Sequence, residues 1–151
     1  MKQWNSVDEI LDYAIGQEEQ AVDFYTDLAA RVEKPWVRKI FEDYAEEERG
    51  HKRKLLAIKE GKLLHSDERV VDDLKIADYL VDASPDISMG YRDALILAMK
   101  KEKAAFKLYN DLAAASSNSQ IRETFQNLAQ EEAKHKLRFE LEYDDAIQSA
   151  N

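Results

Sequence analysis

Twice in this 151-residue chain a glutamate stands three positions before a histidine, as Glu48-x-x-His51 and Glu132-x-x-His135. Three residues advance about 300° around an α-helix, so both side chains of such a pair can reach the same ion. A carboxylate oxygen and an imidazole nitrogen together suit a divalent transition metal. Two further glutamates emerge when the apolar stripes are written out. The first stripe reads Leu11, Ala14, Glu18, Ala21, Tyr25, Leu28, Val32, and the second Val37, Phe41, Tyr44, Glu48, His51, Leu55, Ile58. The third reads Leu95, Ala98, Glu102, Ala105, Tyr109, Leu112, and the fourth Ile121, Phe125, Leu128, Glu132, His135, Phe139. Spacings of three and four place every member on the inward face of a helix, with Glu at mid-seam each time.

Four ionised carboxylates in one core carry a charge of −4, and burying even one unpaired carboxylate costs several kcal/mol. The seams hold no Lys or Arg at those levels. Two divalent cations would neutralise the cluster with both histidines uncharged, so the six residues read as a carboxylate-bridged dinuclear site. A lone seam glutamate is ordinarily half-exposed and a lone core histidine ordinarily hydrogen-bonded; here six exceptions stand in register, twice over. Tyr25 and Tyr109 each follow their Glu by one heptad, about 10.5 Å of helix axis, so that a hydroxyl could support a ligand carboxylate or simply pack in the core. Glu47 and Glu131 lie off the seam and read as salt-bridge partners, with Arg38 and Arg122 as candidates. His65 and Glu19 read as solvated surface.

The elements that position these residues come from a duplication. An ungapped offset of 84 pairs residues 11–52 with 95–136 and gives sixteen identities in 42 positions, including Glu18/Glu102, Tyr25/Tyr109, Glu48/Glu132 and His51/His135. Two copies point to a pseudo-two-fold domain rather than an open array. Each copy reads as a helical hairpin. The first spans residues 6–60: Ser6-x-x-Glu9 is a capping box, Pro35 opens the second helix, and Gly61 is placed to take a left-handed cap. The second spans residues 88–143, turning through Ser116-Ser117-Asn118-Ser119. The connection 61–87 shows a weak helical pattern at Val70, Leu74, Ala77 and Val81 and a break at Ser84-Pro85. It is far longer than the 2–8 residues usual between neighbouring helices, and it could span a bundle of helices roughly 37 Å long. A single all-α domain over 1–151, a four-helix bundle with one long crossover as in ferritin-like folds, is therefore expected.

Composition narrows the function. The net charge of −9 argues against a nucleic-acid partner, which needs a basic footprint. The longest apolar run, Ala94 to Met99, is far short of the ~20 residues of a membrane span, and two acids precede any apolar run at the start. No membrane partner and a cytoplasmic location are expected. With no cysteine, the chain holds no disulfide, thiolate zinc site or iron–sulfur cluster.

The helices bearing Glu18 with Tyr25, Glu48-x-x-His51, Glu102 with Tyr109, and Glu132-x-x-His135 resemble the four-helix domain of rubrerythrins in the ferritin-like superfamily. The resemblance implies a non-haem centre of two iron ions bridged by Glu48 and Glu132, with Glu18 and Glu102 as terminal carboxylates and His51 and His135 as nitrogen ligands. It further implies reaction with hydrogen peroxide or dioxygen, and a homodimer or larger assembly. Two departures stand out. The rubredoxin-like module of full-length rubrerythrins needs four cysteines, so electrons are expected from a separate donor. Rubrerythrins also carry an extra carboxylate one turn after the third-helix Glu, where this chain has Ala105. No fifth helix is expected after Tyr143, which favours a small oligomer over a storage shell.

Three functions fit these residues: a redox enzyme of peroxidase or ferroxidase type, a protein that oxidises or holds iron without turnover, and a structural dimetal site holding manganese or zinc. Ligand types alone leave the metal open, because zinc binds such sites more tightly than ferrous iron.

Overall fold

A computed structural model of the chain describes residues 4–64, 74–81 and 90–149. Helices α1 (Val7–Arg31) and α2 (Pro35–Glu60) form one hairpin, and α3 (Tyr91–Ala115) and α4 (Ser119–Ser149) form the other. A 3-10 turn at Ile76–Asp78 lies between them, and no strand occurs among the described residues. Each hairpin lies in its own compact unit, Met1–Lys75 and Ile76–Asn151.

In the first hairpin the Ser6 hydroxyl accepts the Glu9 backbone N–H at 3.1 Å. The Glu9 carboxylate reaches back to the Asn5 N–H at 2.6 Å, one residue outside the position of a strict capping box. Pro35 occupies the first turn of α2, where its missing N–H costs nothing. Arg38 then donates to the Val32 carbonyl at 3.0 Å. Its counterpart 84 residues on, Arg122, donates to the Ser116 carbonyl at 2.8 Å, so the duplication preserves a tie across each hairpin turn. These arginines do not serve Glu47 and Glu131 as expected. Nine residues along one helix separate each pair by about 13.5 Å.

The end of α2 corrects the expected cap by one residue. Gly61 is right-handed (φ −79°, ψ −4°), and it is Lys62 that adopts φ 50°. Leu63 N–H bonds to the Ile58 carbonyl and Lys62 N–H to the Lys59 carbonyl, at 3.0 and 3.1 Å, the two bonds of a Schellman motif. At 61 the space is tight instead: a Cβ there would meet the Ala57 carbonyl oxygen and Leu63 Cγ, both at 3.1 Å. A lysine in the left-handed region carries a steric cost of about 1–2 kcal/mol, part of which glycine would return through its freer unfolded state. Lys62→Gly is therefore expected to stabilise by roughly 0.5–1 kcal/mol, read as a higher urea midpoint at unchanged slope. A lower midpoint would mean that the lysine side chain holds the turn.

In the second hairpin α3 begins at Tyr91, with Gly90 as its extended N-cap, rather than near Ser88; residue 88 itself lies outside the described residues. Asn118 Oδ1 caps α4, accepting from the Gln120 and Ile121 N–H groups at 2.8 and 3.2 Å. The helix runs six residues past Tyr143, because nothing in Asp144–Ser149 breaks it and Arg92 donates to the Ala146 carbonyl at 3.2 Å.

The described part of the connection departs from its expected helical stripe. Leu74 is buried, but Ala77 is exposed and Val81 half-buried. Tyr79 is buried in their place, its hydroxyl donating to Asp111 at 2.8 Å while Lys107 lies 5.3 Å from its ring centroid. A specific hydrogen bond and a cation over the ring decide this segment, not helical periodicity. Val70, His65 and Ser84-Pro85 lie outside the described residues.

Both hairpins bury their seams. Ile10, Leu11, Leu28, Phe41 and Leu55 in the first, and Leu95, Leu112, Phe125, Leu128 and Phe139 in the second, are 0–1% exposed. Each such side chain contributes about 1.5–3 kcal/mol of transfer free energy, which holds the mid-seam glutamates at fixed depth.

Candidate metal centre

Helix register decides which acids face inward. Glu18, Glu48, Glu102 and Glu132 are 1–2% exposed, while the sequence neighbours Glu19 and Glu47 are exposed and Glu131 is half-buried. His51 and His135 are equally deep, at 1% and 2%. Glu19 pairs with Lys52 at 2.9 Å at the hairpin rim.

In the first hairpin, one ligand atom each of Glu18, Glu48 and His51 lie within 4.8 Å of one another. The His51 Nδ1 is 3.3 Å from Glu48 Oε1 and 3.7 Å from Glu18 Oε2. Glu102, Glu132 and His135 make the same cluster in the second hairpin, with His135 Nδ1 at 3.7 Å from Glu102 Oε1. Each cluster is two carboxylates and an imidazole, built from one helix carrying Glu and a second carrying Glu-x-x-His.

The electrostatics of the first cluster follow from its depth. Burial, and then the charge of Glu48, push the Glu18 carboxyl well above the ordinary carboxylate range. Burial alone would lower the His51 imidazolium, yet its interactions with Glu18 and Glu48 outweigh burial and push it up to about 10. Without metal, a proton on His51 is thus the local substitute for a cation. In the second cluster Glu102 Oε2 is buried with no hydrogen-bond partner among the described residues, an acceptor that an ion or a water would satisfy. The donor set is oxygen and nitrogen with no sulfur, and −2 per hairpin when its carboxylates are ionised. Iron, manganese and zinc in the divalent state all fit it.

Tyr25 and Tyr109 are buried at 1%. Tyr25 packs against Phe24 and Tyr44, with ring centroids 5.9 and 6.3 Å away, and Tyr109 stacks on Phe125 at 6.4 Å. The Tyr25–Tyr44 contact was not foreseen, because Tyr44 reads in its stripe as one more apolar member. The available signal was the repeat itself, which puts Leu128 at the matching position.

The family model described as Rubrerythrin matches residues 9–143. No curated protein matches the chain. Among solved structures, one from Thermotoga maritima described as a ferritin-like diiron-carboxylate protein is 23% identical, with a TM-score of 0.75 over 97% of this chain and 99% of that one. A hypothetical protein from Pyrococcus furiosus is also 23% identical, with a TM-score of 0.73 over 93% of this chain and 89% of its own. The fold is all-α and of the ferritin-like four-helix-bundle class, as the two hairpins led one to expect. No helix among the described residues is long and apolar enough to cross a membrane.

Proposed function

Because the chain belongs to the rubrerythrin family, we propose that its two buried Glu–Glu–His clusters together hold a pair of iron ions that reacts with hydrogen peroxide or dioxygen. One observation carries the reading: the same buried donor set occurs once in each copy of the repeat, on matching helices. Glu48 and Glu132 are proposed as bridging carboxylates, Glu18 and Glu102 as terminal ones, and His51 and His135 as nitrogen ligands. The nitrogen facing the carboxylates is Nδ1, the proposed ligand atom in both rings. When bound, two ferrous ions would supply the electrons that reduce the oxidant.

The chain's own residues contribute in three ways. Depth excludes bulk water, which strengthens every charge interaction at the cluster. His51 Nδ1 gives up its proton on metal loading, so binding is coupled to proton release. Tyr25 and Tyr109, one heptad beyond Glu18 and Glu102, are proposed to donate hydroxyl hydrogen bonds to those carboxylates and hold their orientation. At the position of the extra rubrerythrin carboxylate stands half-buried Ala105, which favours a symmetric six-ligand site. A separate electron donor, a homodimer or larger assembly and a cytoplasmic setting complete the proposal.

The test is anaerobic ferrous loading followed by rapid mixing with hydrogen peroxide or air, watched for oxo-bridged ferric absorption. Fast oxidation by peroxide with re-reduction by added reductant is the expected result. Oxidation without re-reduction would assign iron handling instead, and absence of oxidation a structural metal.

A further inference from the structure

We propose that the outer face of α4 is a self-complementary interface, on which two copies of the chain pair their α4 helices antiparallel about a two-fold axis level with Phe139. The pairing supplies a surface for the homodimer proposed with the metal centre, and it stands whether or not that centre holds iron. Leu137 and Leu141 are 57% and 52% exposed, one turn apart on the side of α4 opposite the buried Glu132, His135 and Phe139. One exposed leucine needs no explanation. These two stand at the middle of a stripe of exposed residues, Gln130, Lys134, Leu137, Leu141, Asp144 and Gln148, whose spacings alternate four and three. That spacing is the seam of a two-stranded coiled coil, here about 27 Å long.

The stripe fits itself in one direction. Set antiparallel, its positions pair as Gln130 with Gln148, Lys134 with Asp144, and Leu137 with Leu141 of the second copy, and the two-fold axis makes each pair occur twice. Leucine layers then fill the centre, an ion pair flanks them on each side, and amides close the ends, an apolar middle within a polar rim. A parallel pairing would set Lys134 against Lys134 and Asp144 against Asp144, which repel. The charges are available for the antiparallel one. Lys136 and Arg138 already pair with Glu140 and Glu142 one turn on, at 2.6 and 2.8 Å, while Lys134 and Asp144 make no ion pair among the described residues.

The duplication shows that the hairpin itself does not require leucine on this face. At the same offset of 84, α2 carries Glu46, Gly50, Arg53, Ala57 and Glu60 where α4 carries Gln130, Lys134, Leu137, Leu141 and Asp144. Arg53 is exposed and lies 3.6 Å from Glu46, so a polar face serves the outside of the corresponding helix. Asp144 and Gln148 belong to the stretch by which α4 runs past Tyr143. That extension supplies one member of two of the three pairs.

The test is sedimentation equilibrium of the whole 151-residue chain loaded with metal, with the helicity and metal content of each variant established first. Wild type is expected to associate at least to a dimer at micromolar concentration. Leu137→Glu/Leu141→Glu should weaken association by about a hundredfold or more, since four leucines leave the interface and four charges enter it. Lys134→Glu should weaken it by about tenfold, because the new carboxylate faces Asp144 of the second copy twice, and Lys134→Glu/Asp144→Lys should restore it to within about threefold of wild type. The absence of native cysteine permits a direct check of the register. Lys134→Cys mixed with Asp144→Cys should form a disulfide-linked dimer under oxidation, whereas either variant alone should not, because like positions lie about 15 Å apart along the axis. Association unchanged by the leucine and charge variants, or equal linking by either cysteine variant alone, overturns this interface and leaves the homodimer standing. A monomer at every concentration overturns both, and neither result alters the metal content by which the dinuclear reading is judged.

Discussion

Removing the metals with a chelator is expected to lower the melting temperature by about 15–30 °C at pH 8, and by much less near pH 5. At free metal a thousandfold above Kd, each ion stabilises the folded state by about 4 kcal/mol, and in a chain of this length 1 kcal/mol shifts the midpoint by roughly 2–4 °C. The pH dependence follows from what replaces the ions. In the metal-free hairpin the Glu18 carboxyl is raised well above its ordinary value, first by burial and then by Glu48, and His51 is raised to about 10. A group whose folded value is raised contributes stability that is fully present below its unfolded value and is lost as pH rises through the folded one. The Glu18 contribution therefore fades as pH climbs above the usual carboxylate range. The His51 contribution is complete below about 6.5 and disappears as pH passes about 10. Metal-free protein should weaken steadily from mildly acidic to alkaline pH. Loaded protein, with cations in place of protons, should not, so calorimetry of both forms from pH 5 to 8 should show the gap widening with pH. Coincident melting of the two forms throughout that range would place the glutamates in solvent and end the metal reading.

Substituting Glu48 or Glu132 is expected to empty both metal positions, whereas Glu18→Gln should mainly empty one. A bridging carboxylate contacts two ions and a terminal one contacts a single ion, so metal content under saturating anaerobic ferrous conditions separates the roles. Wild type should hold two per chain, Glu48→Gln and Glu132→Gln well below one, and Glu18→Gln close to one. In the absence of metal the Glu48→Gln variant loses both the repulsion of Glu18 and one of the two carboxylates that hold the His51 proton, so its stability should depend less on pH than that of wild type. It should gain little stability when metal is added. Glu47→Ala is the control: Glu47 is exposed beside its buried neighbour, and its loss should leave metal content at two. Retention of two metals by Glu48→Gln would remove it from the bridging role.

The amino-acid pattern alone determined the parts of this protein that depend on helical periodicity and charge. Glu18, Glu48, His51, Glu102, Glu132 and His135 share the inward faces because spacings of three and four allow nothing else once the flanking Leu, Phe and Ala are buried. The hairpins were legible because Ser6, Pro35 and the serine-rich turn act within a few residues of themselves, and because the 84-residue offset shows each feature twice. Tertiary structure decided what depends on atoms distant in sequence or on the crowding of a particular turn. Lys62 rather than Gly61 takes the left-handed position at the end of α2, a placement opposite to the one the residue types suggest. Tyr79 displaces the expected helical stripe because Asp111, 32 residues away, offers it a half-buried acceptor. Tyr44 differs from a core tyrosine only because the folded hairpin sets it against Tyr25 on one side and solvent on the other. Periodicity specifies the face on which a side chain lies; what it meets there, and how near water it stays, follows only from packing between helices.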